Sequence, residues 1–325
     1  MKSPDLNERV KIGADSVLQA VGLGVGLMAN GRRLEVVGEV DLTLCRGQTT
    51  ALVGESGCGK SITAAALGGL LPRGMLLDRG EIRWTGGGAC GPGRGLAYVF
   101  QDPGDCLDPV FTIGNQIREA LPKQEQSRAQ NRMEDLLRTV GFDDPARVLA
   151  SYPHQLSGGM QQRAMLAMAL AGHPRVLVAD EPTTALDVTV QAKILKLLAG
   201  LQQQENLAVL LITHNLGVVA ELADEVHVMY AGRIVESGPV DILRQPTHPY
   251  VRGLLKALPR LEGDGTRLEG IDGSVPPLGR HPTGCRFHPR CYLARAVCAE
   301  RAPPWTNIDD HHRVACWAHG EGGWA

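Results

Sequence analysis

"GESGCGKS" occupies Gly54 to Ser61, between the apolar, β-branched "TTALV" (Thr49–Val53) and the helix-favouring "SITAAALGGLL" that opens at Ser61. The spacing fits G-x-x-x-x-G-K-[ST], and its surroundings are those the pattern needs: buried strand, glycine-rich turn, helix. Glycines let the backbone N–H groups of Gly54, Glu55, Ser56, Gly57, Cys58 and Gly59 turn inward around phosphate oxygens. The positive end of the following helix adds to them. Lys60 is expected to reach the β- and γ-phosphates and Ser61 to hold Mg²⁺. The stretch predicts an α/β protein with a nucleotide site. It does not choose among kinases, GTPases, helicases and transport ATPases.

Further along, "RVLVADEPTTALD" covers Arg175–Asp187. Val176 to Ala179 read as a buried strand that ends in Asp180 and Glu181, at the carboxyl end where parallel α/β sheets bind ligands. Asp180 is placed to join the Mg²⁺ shell and Glu181 to polarise an attacking water. Two acids that merely terminate a strand would look the same in isolation. "LSGGMQQR" at Leu156–Arg163 reads as Ser157 capping a helix that continues to about Gly172. A glycine-rich helix start is a second anion site. It makes sense if it closes over a nucleotide held by another subunit.

The joint pattern resembles the nucleotide-binding subunits of ABC transporters. "GESGCGKS" is similar to Walker A, "LSGGM" to the ABC signature, "VLVADE" to Walker B and "ALD" (Ala185–Asp187) to the D-loop. Gln101 in "AYVFQDP" is similar to the Q-loop glutamine and His214 in "VLLITHN" to the switch histidine, all in the family's order. The resemblance implies a P-loop NTPase fold with a RecA-like core, an antiparallel β subdomain and a helical subdomain at about 102–172. It also implies a head-to-tail dimer with two ATP molecules between the subunits. Ser157, Gly158 and Gly159 would meet the γ-phosphate of the opposite site, with Asp187 nearby. Glu181 would be the base, His214 would help position the water, and Gln101 with Ser61 and Asp180 would serve Mg²⁺. Two places depart from the usual pattern. Met160 stands at the fifth signature position, as it does in many peptide importers. Leu27 stands where an aromatic usually stacks on adenine, which implies weak base contact and little discrimination between ATP and GTP.

Composition bounds the rest. The chain has 325 residues, 43% hydrophobic, 21% charged and 4% aromatic, with a formal net charge of -2. A sizeable core is available, and neither a basic field nor stacking aromatics point to nucleic acid. No apolar run approaches the ~20 residues of a membrane span, and the N-terminus lacks the apolar core of a signal peptide. One phosphate loop and one signature exclude a tandem ATPase. The interval between them leaves no room for a long coiled coil, so a soluble ABC protein acting on nucleic acid is disfavoured. Residues 1–16 read as a tail, 17–244 as the nucleotide-binding domain and 245–325 as a small extension. "TGGGACGPGRG" (Thr85–Gly95) reads as a loop, and Ser127 as the cap of the helix in "RAQNRMEDLLRTV".

"THPYVRGLL" and the last four cysteines, Cys285, Cys291, Cys298 and Cys316, are similar to the C-terminal extension of dipeptide/oligopeptide and nickel importer ATPases. Their spacing, C-x5-C-x6-C-x17-C, lacks the close pairs of a zinc ribbon. Four thiolates suit an iron–sulfur cube by ligand type, though not by ferredoxin spacing. Members of this branch with a [4Fe–4S] cluster match the four cysteines one for one. Zinc, or no metal, are the competing readings. The segment has few large apolar residues, so a cluster would act chiefly as a staple. The resemblance implies an ATP-hydrolysing subunit at the cytoplasmic face of the membrane. Its partners would be a second ABC ATPase subunit, two transmembrane permease subunits and an extracytoplasmic substrate-binding protein. Its cargo would be dipeptides or oligopeptides, with nickel chelates or another small solute as the alternative.

Overall fold

The structure is a computed structural model that describes residues 15–29, 31–85, 95–183, 187–257, 270–320 and 322–324. Two long strands, β1 (Ser16–Ala29) and β2 (Arg32–Cys45), pair antiparallel. The next strand, β3 (Thr49–Val53), is buried along its whole length and leads through the phosphate loop into α1 (Lys60–Leu67). The chain then returns as β4 (Met75–Trp84) to the free side of β1, which completes a three-stranded antiparallel sheet. The sequence "TGGGACGPGRG" lies mostly outside the described residues.

Strand β5 (Leu96–Val99) enters the second sheet. Four helices follow: α2 (Ile113–Ala120), α3 (Ala129–Thr139), α4 (Pro145–Ala150) and α5 (Gly158–Ala171). Side-chain caps start two of them. Thr112 accepts from Asn115 N at 3.3 Å, and Asp144 accepts from Arg147 N at 3.2 Å ahead of a proline at the first helical position. Ser127 does not cap α3. It lies inside a 3-10 turn, Lys123–Arg128, which runs directly into the helix and leaves no N-cap role for its hydroxyl.

Strand–helix alternation then resumes with β6 (Val176–Asp180), α6 (Val188–Gln204), β7 (Ala208–Thr213), α7 (Leu216–Leu222) and β8 (Glu225–Tyr230). Strands β5, β6, β7, β3 and β8 are parallel neighbours in that order. Their apolar runs are buried because both faces are covered. A tight turn at Ala231 and Gly232, with φ of 45° and 82°, reverses the chain into antiparallel β9 (Arg233–Pro239).

The C-terminal region continues the same sheet. Helix α8 (Pro249–Lys256) precedes α9 (Ala296–Glu300), and the short strands β10 (Trp305–Asn307) and β11 (Arg313–Ala315) form a hairpin whose β11 pairs with β9. Glu236, fully buried on β9, ties this region down. It accepts from the N–H groups of Thr247 and His248, each at 2.8 Å, and His312 Nε2 lies 2.8 Å away. Among the described residues, three large apolar clusters and a small one around Ala179, Leu195, Leu211 and Val218 make up the interior. One packs α2, α3, α5 and α6 together, and one fills the space between the two sheets. The third joins Val226, Val228 and Tyr230 of β8 to Tyr250, Val251 and Phe287 of the C-terminal region.

Candidate functional site

The phosphate loop is a turn that only glycines fit. Gly54, Gly57 and Gly59 have φ of 155°, 77° and 108°. A β-carbon at Gly54 would collide with the carbonyl of Met229, because the β8–β9 turn is the floor of the loop. Gly232 N donates to Cys58 O at 2.7 Å, and Gly38 N donates to Gly232 O at 2.8 Å. Lys60 is folded into this cradle. Its ammonium donates to the carbonyls of Gly54 (2.8 Å) and Glu55 (3.1 Å).

Parallel pairing of β3, β7 and β6 brings the acids alongside. Ser61, at the start of α1, lies beside the Asp180 carboxyl at the end of β6. Burial raises the Asp180 carboxyl above its ordinary range, Ser61 opposes the rise, and Glu181 adds to it. Glu181 has φ of 47°, a left-handed conformation that costs energy in a non-glycine residue, and its N–H donates to Ile212 O on β7 at 2.8 Å. That bend directs its carboxylate to His214, just beyond β7, with Nδ1 3.0 Å from Glu181 Oε1. Gln101 and Asp180 line a common cavity of about 740 Å³ with Tyr98, Phe100 and Met165.

Ser157 occupies the N-cap of α5, yet its side chain makes no cap hydrogen bond. Ser157 and Gly158 are exposed, and Gly159 packs near Val190 of α6. Among the described residues, none of the three shares a hydrogen bond or a cavity with the phosphate loop. Met160 packs against the helical cluster. Ala185 and Leu186 lie outside the described residues, while Asp187 caps α6 by accepting from Val190 N at 2.9 Å. Leu27, half-buried on β1, pairs with Leu34 and Met75.

The four C-terminal cysteines are free thiols around one apolar space of about 10 Å³, closed by Pro249, Leu293 and Trp324. Burial pushes Cys285 and Cys316 up to about 11, and the neighbouring thiols add to the rise. Cys285 N donates to Cys298 O at 2.7 Å, so the first and third cysteines are joined through the backbone. Among the described residues, no group of three or more His, Cys, Asp or Glu is arranged to hold a metal ion.

Two contacts of the phosphate loop had no signal in the motifs. Glu55 N donates to the Tyr250 hydroxyl at 2.9 Å, and the Glu55 carboxylate pairs with Arg290. "HPY" marks the branch by resemblance, but nothing local to it points at residue 55.

A parallel sheet with a glycine phosphate loop, acids at the end of the next strand but one and an antiparallel side sheet defines a P-loop nucleotide-binding protein. Residues 37–184 match the ABC transporter family profile, and 235–298 match that of the oligopeptide/dipeptide transporter C-terminal region. A putative peptide import ATP-binding protein of Brucella ovis is 44% identical over 326 residues, covering 92% of this chain and 96% of the relative. The dipeptide transport ATP-binding protein DppD of Bacillus subtilis is 43% identical over 317 residues, covering 93% and 95%. Among solved structures, cbiO1 of Clostridium perfringens has a TM-score of 0.60 at 23% identity, over 71% of this chain and 92% of that one. A dimeric post-hydrolysis structure of the ATP-binding cassette MJ0796 with ADP and Pi has a TM-score of 0.59 at 23% identity, over 69% and 98%. The chain belongs to the ABC transporter ATP-binding proteins, in the group that carries the oligopeptide/dipeptide C-terminal region.

Proposed function

We propose that this chain hydrolyses ATP to power an importer of dipeptides and oligopeptides. The observation that carries the reading is the Glu181–His214 pair, 3.0 Å apart at the neighbouring ends of β6 and β7, with Asp180 and Ser61 beside it. Its relatives are named for peptide import and dipeptide transport. Lys60 and the loop N–H groups bind the phosphates. Ser61, Asp180 and Gln101 would hold Mg²⁺, whose charge neutralises the β- and γ-oxygens. Glu181 accepts a proton from the attacking water, and His214 fixes that carboxylate and meets the γ-phosphate. The exposed start of α5, with its uncapped Ser157, would close over the nucleotide of the opposite subunit, near Asp187.

Among the described residues no helix is long and apolar enough to cross a membrane, so permease partners must supply the path. We assign the chain to the cytoplasmic face, on two permease subunits, beside a homologous ATPase or a second copy of itself. An extracytoplasmic binding protein would deliver the peptide.

For the tail, the four soft thiols suit a [4Fe–4S] cluster held by Cys285, Cys291, Cys298 and Cys316. They surround one space together with Pro249, Leu293 and Trp324. The space has room for no more than a single water molecule, so the side chains would have to spread.

The test of the ATPase reading is Glu181→Gln. Hydrolysis with Mg²⁺ should fall at least about a hundredfold while ATP binding persists; parental turnover would remove Glu181 from the role. For the tail, protein purified without air should carry iron and sulfide in equal amounts and lose both in Cys291→Ser. Zinc without sulfide, or no metal, would overturn the cluster.

A further inference from the structure

The second residue of the phosphate loop is held by a segment far along the chain. Arg290 lies 235 residues from Glu55, and its guanidinium meets the carboxylate as a fork, Nη1 to Oε2 at 2.7 Å and Nη2 to Oε1 at 3.0 Å. The Arg290 side chain is only 6% exposed, against 29% for Glu55, so this is not a solvated surface pair. The fork is itself braced. Arg290 Nε donates to Asp272 O at 2.8 Å, Nη2 donates to Ile271 O at 3.2 Å, and the guanidinium lies 5.7 Å from the Tyr230 ring. The Tyr250 hydroxyl meanwhile takes the Glu55 N–H at 2.9 Å. Backbone and side chain of Glu55 are therefore both anchored in the C-terminal region.

The loop must present its other N–H groups to a polyanion. An unpaired carboxylate one residue into the loop would repel the triphosphate at short range. A bidentate arginine neutralises that charge and holds the loop in one shape before the nucleotide arrives. We infer that Arg290 is a positioning residue for the phosphate-binding loop, through which the cysteine-bearing segment sets nucleotide affinity. The inference rests on the reading of Gly54–Ser61 as the ATP site.

The experiment uses the full-length chain, a fluorescent ATP analogue for Kd, and steady-state hydrolysis for KM and kcat. Melting temperatures on the same samples report folding. Arg290→Gln should weaken nucleotide binding and raise KM roughly tenfold, with kcat at saturation within about twofold. Arg290→Lys should recover only part of the loss, because a point charge cannot replace the fork. If the glutamine variant does not fold, the lysine variant should still show a loss of about threefold. In a Glu55→Gln background the Arg290 substitution should change affinity less than about twofold. An equal loss in both backgrounds would mean general damage and would overturn the inference. Parental affinity in Arg290→Gln, alongside a Lys60→Ala variant that no longer binds, sinks this inference alone. A Lys60→Ala variant that still binds ATP sinks the ATP site itself.

Discussion

The phosphate loop and the cysteine segment touch each other, but they are built on different plans. The loop sits between its own strand and its own helix, and its shape follows from glycines at positions 54, 57 and 59. The cysteine segment has short elements, a helix of five residues and two strands of three. It borrows its interior. Phe287 packs 5.1 Å from the ring of Tyr230 on β8 and 5.3 Å from Tyr250, and β11 adds to the edge of the main sheet. A local motif can specify a loop, whereas a segment without enough apolar residues must be completed by its neighbours.

The largest effect that could break this contrast is Phe287→Ala. The side chain is 2% exposed and joins tail to core. The substitution should cost about 3–5 kcal/mol and lower the single melting transition of the whole chain. A core that melts unchanged while only the tail loosens would show that the segment is autonomous after all.

A smaller effect comes from His227 on β8. Burial, followed by the Arg313 charge from β11, lowers it from the usual 6.5 to about 3, and Glu225 at 3.8 Å does not offset this. The folded state therefore keeps His227 neutral while the unfolded chain takes up a proton below about pH 6.5. Stability is fully present above that pH and falls as pH drops from 6.5 towards 3, by up to ~1.4 kcal/mol per unit for this group. Urea midpoints between pH 7 and 5 should show a shallower slope in His227→Gln. An unchanged slope would mean that the folded state does not hold His227 neutral.

Asp187→Ala sharpens the nucleotide side of the comparison. Loss of its bond to Val190 N should cost about 1 kcal/mol by denaturant melts. Protease sensitivity of the C-terminal segment should not change. A larger loss, or a tail that becomes labile, would mean that the two regions are coupled through α6.

Legibility followed the same division. β3, the loop and α1 were readable because strand, turn and helix each carry a local signal. The acids of β6 and His214 after β7 were readable as strand ends, and the sheet brings Glu181 within 3.0 Å of His214. Ser127 was misread because a polar residue ahead of a helical pattern looks like a cap even when a 3-10 turn absorbs it. The roles of Glu236, Tyr250 and Arg290 were not readable, since each depends on partners brought near only by packing.

The sequence alone determined the nucleotide fold, the order of the phosphate loop, signature and acidic strand end, and, through the "HPY" region, the oligopeptide/dipeptide branch. These rest on short-range geometry, where residue type and spacing already state the physics. Only the tertiary structure decided that the C-terminal segment joins the main sheet, that four distant cysteines face one space, and that Arg290 and Tyr250 grip Glu55. Those contacts span large separations in the chain. Their partners are chosen by the closing of the core, which no local pattern encodes.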